Sequence, residues 1–435
     1  MLDSVRYKVF GERHRYYLIA MLAGLVGLVL AVILPNVFGL GTISKKTPIK
    51  IGILHSLSGT MAVSERSVAD ATQLAVEELN RRGGVLGRKV QTIRIDGQSN
   101  WAVFAREAEN LIVNHDVSAV FGCWTSACRK TVKPVFERLD NVLFYPVQYE
   151  GLEQSPNIIY TGAAPNQQII PATKWTIDNI GKRIYLVGSD YVFPRTAHAI
   201  IRTQVAALNG QIVGEAYVPL GGVEFADILA DIKKQKPDII FNTINGDSNL
   251  AFYKQLRVSG IKSTDIPVMS FSLAESEVQE IGPKVVEGDY AARNYFQSIR
   301  SKQNRDFVAK YRARFGKNKV TTAPMEAAYF GVFMWAQAVE ESGSTHYRGF
   351  RDALLGQTLN APSGIVYIDP NTQHTWRTVL IGKVRDDGNF TLIWDSGRPV
   401  RPVPYPAFLP KDKWEEFLAD LFEGWGGKWE AEGRT

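Results

Sequence analysis

The chain has 435 residues, 45% of them hydrophobic and 22% charged. Those fractions exclude wholesale disorder, a collagen-like repeat and a polytopic membrane protein. A net charge of +6 is too mild to point to nucleic acid as partner, and two cysteines exclude a disulfide-dense scaffold.

The first element is a membrane signal. Tyr16–Gly41 carries no charge, and its apolar run Tyr16–Leu34 would span roughly 28 Å as a helix, against a hydrocarbon core of about 30 Å. Residues 1–15 carry Arg6, Lys8, Arg13 and Arg15 against Asp3 and Glu12, a basic flank that stays in the cytoplasm. Residues 16–41 are either a cleaved signal peptide, with Gly39 and Gly41 near the cut, or an uncleaved signal anchor. The length of the run favours the anchor. Everything after residue 41 is expected outside the cytoplasm, in the periplasm or on the outer face of the membrane. No cysteine follows the run to carry a lipid.

From residue 49 short apolar runs alternate with helical patterns. Strands are expected at Ile49–Leu54, Val90–Ile95, Val117–Phe121, Val142–Tyr145 and Ile158–Thr161, with helices at Ser67–Arg82, Ala102–Asn114 and Ser126–Leu139. The pattern restarts with strand Arg183–Gly188, helix Ala197–Leu208, strand Val213–Tyr217, helix Phe225–Lys234, strand Ile239–Thr243, helix Ser248–Ser259 and strand Pro267–Ser270. Such alternation means parallel sheets covered on both faces, mostly doubly wound. Two consecutive sets imply two α/β lobes. Helices near Asp306–Phe315 and Met325–Glu341 complete either lobe, and strands Gly364–Ile368, Val379–Val384 and Phe390–Trp394 come late. Residues 398–410 are proline-rich and extended. In the tail, 406–435, Trp414, Phe417, Leu418, Leu421, Phe422 and Trp425 fall on one helix face, expected to pack on the body.

Ligands of open parallel sheets sit beyond the carboxyl ends of strands. Five segments there mix aromatic rings with hydroxyl, amide or carboxylate groups: 55–60, 122–130, 145–151, 188–195 and 242–249. That mix suits a small, polar, uncharged ligand. Thr125 and Ser126 equally suit capping of the helix that follows, and Asp190 and Asp247 equally suit turns. The chain has no GxSxG, P-loop or HExxH motif. Its six histidines (His14, His55, His115, His198, His346, His374) make no metal-ligand pattern. No catalysis, metal or cofactor is expected. Cys123 and Cys128, at a strand end and a helix start, are expected as two buried thiols.

Several long motifs carry a resemblance. IGILHSLSGTMA (51–62), GCWTSACRK (122–130), FYPVQYEGLEQSPNIIYTGAAPNQQ (144–168), GSDYVFPR (188–195), FNTINGDSN (241–249), NYFQS (294–298) and MEAAY (325–329) resemble the urea and short-chain amide binding proteins of ABC transporters, over about residues 49–405. The resemblance implies a type I periplasmic binding protein: two doubly wound lobes joined by three hinge crossovers, near Gly162–Pro165, Arg293–Phe296 and Ser363–Val366. Residues 47–405 would form the ligand-binding domain. Its first lobe would take 47–163 and 296–364, and its second 164–295 and 365–405. The family's ligand positions fall on Trp124, Ser126, Val147, Gln148, Tyr149, Tyr191 and Phe193. Thr125, Asp190, Asn245, Asp247 and Glu275 join them as polar candidates. Trp124 and Val147 lean toward urea over acetamide-like ligands. The implied partners are urea or a short-chain amide, an ABC permease, and the membrane through the N-terminal helix. Two other roles remain open: an amide sensor acting on a separate signalling partner, and branched-chain amino-acid binding. The latter ligand needs a charge partner for both its ammonium and its carboxylate.

Overall fold

The structure is a computed structural model that describes residues 16–27 and 47–431. It divides into two units, one ending at Thr47 and one starting at Pro48. In the first unit residues 16–27 form an exposed helix. Among the described residues no helix is long and apolar enough to cross a membrane. The basic flank 1–15 and the rest of the expected membrane span, 28–41, lie outside the described residues.

The second unit is built on two large sheets. The first has five parallel strands: β1 (Ile49–His55), β2 (Val90–Asp96), β3 (Val120–Gly122), β4 (Leu143–Tyr145) and β5 (Ile158–Tyr160), in the order β2-β1-β3-β4-β5. The second contains β6 (Arg183–Ser189), β7 (Gln211–Val218), β8 (Ile239–Thr243), β9 (Val268–Ser270) and β10 (Tyr290–Arg293), all parallel. A small antiparallel sheet holds β11 (Thr358–Ala361), β12 (Gly364–Ile368) and β13 (Thr375–Trp376). Antiparallel β14 (Leu380–Val384) and β15 (Phe390–Asp395) then extend the second sheet, whose order is β15-β14-β10-β9-β8-β6-β7. β3, β4, β5 and β8 are buried along their whole length. Their continuous apolar runs follow from helices covering both faces.

The first helix runs Ala62–Arg81, starting earlier than the sequence pattern suggests. Its first turn lies in the polar-looking stretch after β1, where Ala62 and Val63 are followed by Ser64 and Glu65. Helix Ala323–Ser342 packs along it, so the late helices complete the first lobe. Tyr329 Oη donates to Glu78 Oε1 at 2.6 Å, and Lys310 Nζ pairs with Glu78 Oε2 at 2.6 Å.

The chain leaves the first sheet after β5 and returns from the second after β10. The third passage differs from the expected Ser363–Val366. β12 pairs with β13, and the segment before β13 is held by β5: Gln373 Nε2 donates to Ile158 O at 3.0 Å and Thr375 Oγ1 to Tyr160 O at 3.2 Å. Residues 365–376 therefore belong with the first lobe, and the crossing comes just before β14. The β-pattern of Gly364–Ile368 carries no mark of which sheet it joins. Beyond β15 the chain returns to the first lobe, where Leu152 N donates to Pro404 O at 2.8 Å.

Candidate functional site

The loop after β3 is closed covalently. Cys123 and Cys128 form a disulfide, with their Cα atoms 5.8 Å apart, rather than the two thiols expected. The expectation missed that Cys123 takes a left-handed conformation, φ +60°, which lets the loop fold back on the first turn of the helix. The bond encloses Trp124, Thr125, Ser126 and Ala127. Thr125 caps helix Ser126–Leu139, its Oγ1 accepting from Cys128 N at 3.0 Å. Trp124 is buried, and its carbonyl accepts from Tyr145 Oη at 2.6 Å.

Ser126 opens into a buried ionic cluster that the sequence reading missed. Its Oγ donates to Glu150 and accepts from Arg129 Nη1 at 3.0 Å. Arg129 pairs with Glu150 at 3.0 Å and with Glu153 at 2.7 Å, and Lys130 with Glu153 at 3.1 Å. All four charged side chains are buried. Buried charges persist only when paired and hydrogen-bonded. Burial alone would raise the Glu153 carboxyl, but Arg129 and Lys130 outweigh it and hold it well below the usual carboxylate range. The available signal was the charges in RK and YEGLE, set within otherwise apolar segments.

Tyr149 faces the interior of the first lobe. Its hydroxyl lies 3.2 Å from Glu153 O and contacts His374 Nε2. Burial pushes the His374 imidazole down to about 3, so the ring is neutral. His374 Nδ1 donates to Thr372 O at 2.6 Å, which leaves Nε2 to accept from Tyr149. The Tyr149 ring stacks on Tyr160 at 5.2 Å, and the Arg129 guanidinium lies 4.3 Å from its centroid. Val147 is buried beside it in sequence, while Gln148 reaches across the seam, its Nε2 donating to Phe271 O at 3.1 Å.

The second lobe answers with three loops. After β6, Tyr191 is buried, and Asn245 Nδ2 donates to its hydroxyl at 2.8 Å. Phe193 is buried with its ring 6.2 Å from that of Tyr191. Asp190 is turned to an ion pair with Arg195 at 2.7 Å. Asp247 is exposed at the start of helix Asp247–Val258 and makes no part of this group. After β9, Glu275 is buried. Its Oε1 accepts from Gln297 N at 2.6 Å, and its Oε2 has no hydrogen-bond partner among the described residues. Burial raises the Glu275 carboxyl to about 7, against the Gln297 N–H and the Arg293 charge.

Further polar atoms line the seam that sequence reasoning did not select. Arg293 Nε donates to Leu273 O at 3.0 Å, while Nη1 is buried with no partner among the described residues. Burial pushes its guanidinium down to about 10, still charged at neutral pH. Ser272 Oγ and Gln168 Oε1 are in the same state. In the first lobe His55 Nδ1 donates to Glu65 Oε2 at 3.0 Å, leaving His55 Nε2 and Glu65 Oε1 unpaired among the described residues. Ser64 Oγ donates across the seam to Glu277 Oε1 at 2.8 Å. Gln148, Gln168, Arg293, Asn294 and Arg377 line a small cavity of about 10 Å³ where the three passages meet. That is room for about one water molecule. Among the described residues no cluster of His, Cys, Asp and Glu is arranged to hold a metal ion.

Comparisons place this geometry among known proteins. A family profile described as periplasmic binding protein domain matches residues 49–411. A Leu/Ile/Val-binding protein homologue of Brucella melitensis is 23% identical over 351 residues, covering 79% of this chain and 89% of that protein. A limonene hydroxylase of Geobacillus stearothermophilus is 33% identical over only 124 residues, so the chain spans 23% of that protein's length. Among solved structures, an ABC-transporter solute binding protein of Rhodopseudomonas palustris with p-hydroxybenzoic acid bound superposes with TM-score 0.74. It is 24% identical, with coverage of 82% of this chain and 98% of that one. A branched-chain amino acid transporter substrate binding protein of Streptococcus pneumoniae, in complex with isoleucine, gives TM-score 0.72 at 21% identity, covering 82% and 100%.

Proposed function

The chain belongs to the periplasmic binding protein domain family, and from that premise we propose that it captures urea, or a short-chain amide, between its lobes and delivers it to an ABC permease. It works outside the cytoplasm, tethered by residues 16–41. One observation carries the choice of a neutral ligand. The first-lobe charges Arg129, Lys130, Glu150 and Glu153 are consumed by one another. None of these four charges is left to pair with a charged ligand.

Urea brings four N–H donors and one carbonyl acceptor. Each one buried without a partner costs about 1–3 kcal/mol. Glu275 Oε2 and Gln168 Oε1 are acceptors still free among the described residues, and Arg293 Nη1 is a free donor. Trp124 and Tyr191 would cover the planar faces of urea. A ligand that contacts both lobes favours the closed form by its differential affinity, and the permease reads that form. Nothing is chemically changed.

A second reading has its own support. Glu275 and Arg293 are opposite buried charges with free atoms, the pair an amino acid would need for its ammonium and carboxylate. The isoleucine-bound relative points the same way.

The test is calorimetric titration of the full-length protein, refolded from guanidinium to strip bound ligand, with urea, acetamide, formamide, isoleucine and 4-hydroxybenzoate. Saturable urea or amide binding, weakened at least about tenfold in Trp124→Ala (about 1.4 kcal/mol), is the expected result. Binding of isoleucine alone overturns it in favour of the second reading.

A further inference from the structure

The C-terminal segment crosses the seam between the lobes. Helix Lys411–Gly424 packs against second-lobe helix Val192–Ala207, which itself touches first-lobe helix Ser126–Leu139. Phe417 and Leu421 line a groove with Arg195 and Tyr217 of the second lobe. Leu418 and Phe422 line another with Lys130 and Leu152 of the first. Trp414 is buried and donates from Nε1 to Pro406 O at 2.9 Å.

The last described residues then pin both sides at once. Val192 N donates to Trp429 O at 3.0 Å, Ala431 N donates to Asp190 O at 3.0 Å, and Glu430 pairs with Tyr191 as an antiparallel bridge. This is a one-residue strand pairing onto Tyr191, the residue that leads into the helix bearing Phe193. On the first-lobe side the Trp429 ring lies 4.8 Å from Lys130 Nζ and 4.5 Å from the Phe422 ring. Glu430 shares a groove with Trp101. Rotation of the lobes apart must break the contacts to Lys130 and Trp101, or the main-chain bonds to Asp190 and Val192.

We propose that residues 406–431 form a clasp that positions Asp190–Phe193, the start of helix Val192–Ala207, and holds the two lobes in the closed arrangement, setting the open–closed equilibrium. The clasp rests on the two-lobed closing mechanism but not on the identity of the ligand. Trp429 and Glu430 are positioning residues. They act on the ligand through Tyr191 and through lobe closure.

The experiment reads lobe separation directly in ligand-free, full-length protein. Spin labels on Asn114→Cys and Lys234→Cys, both exposed, report on the first and second lobes, the native cysteines being bonded to each other. Three backgrounds are compared with the parent: Trp429→Ala, Ala431→Pro, which removes one N–H, and a chain ending at Tyr405. The expected result is a new long-distance population, with the open-to-closed ratio raised about tenfold, and correspondingly faster ligand release. Unchanged distance distributions in both point variants overturn the clasp, whatever the truncated chain does. A clear distance change in a protein that ignores urea and amides supports the clasp and overturns the ligand assignment instead.

Discussion

The disulfide between Cys123 and Cys128 closes a ring around Trp124, Thr125, Ser126 and Ala127. A six-residue ring is worth about 2 kcal/mol by removal of unfolded-chain entropy. The double variant Cys123→Ser, Cys128→Ser is expected to lose about that much stability in guanidinium unfolding. It is also expected to bind ligand several-fold more weakly in calorimetry, because Trp124 is no longer fixed. Full affinity at reduced stability would mean that the bond only stabilises. Guanidinium is the denaturant of choice here, since urea is the proposed ligand.

Arg129 is held by two carboxylates and two aromatic faces. Arg129→Met strands Glu150 in the interior and leaves Glu153 to Lys130 alone. Breaking a buried pair from one side costs about 3–5 kcal/mol, so this variant should unfold at much lower guanidinium. Replacing Glu150 and Glu153 by Gln as well should recover part of the loss. If Arg129→Met alone melts like the parent, the cluster is not what holds these loops.

Glu275 gives a pH signature. Its carboxyl rises from an ordinary 4.5 to about 7 on folding, chiefly through burial. The folded state therefore binds more protons than the unfolded state between those values, and stability falls as pH rises through that window. The contribution is present below about pH 4.5 and gone above about pH 7. Asp289, raised by burial to about 6, acts in the same direction. The comparison that isolates Glu275 is parent against Glu275→Gln. The difference in unfolding free energy should grow by roughly 2–3 kcal/mol in favour of the variant from pH 4.5 to 7. A constant difference would show that Glu275 titrates normally.

Gly162 lies at the first passage between the lobes. A Cβ there would stand 2.0 Å from Val147 O and 2.1 Å from Val147 C. Gly162→Ala must push the Val147–Gln148 loop aside, at about 1–3 kcal/mol. Lower stability together with weakened ligand binding is expected. An unchanged melting transition would mean that the passage relaxes without strain.

The alternation of apolar strands and helices is local, and it was enough to read two α/β lobes, the order of their elements and the helical face of the tail. Periodicity needs only neighbours a few residues apart. The loops carrying Trp124, Gln148, Tyr191 and Asn245 were legible for the same reason, since each follows a recognisable strand. What tertiary structure alone decided depends on partners far away in the chain. The family resemblance put Tyr149 among the ligand positions, yet His374, 225 residues on, takes its hydroxyl. Arg129 and Glu150 are unremarkable separately and become a buried pair only when two loops meet. Residues 364–368 look like any strand until Tyr160 and Ile158 claim the segment that follows them. The tail's apolar face announced a helix, but nothing in its own residues says that Trp429 reaches Val192 on one lobe and Lys130 on the other. Burial and charge pairing are properties of the closed chain, and they settle which of several plausible side chains face the seam.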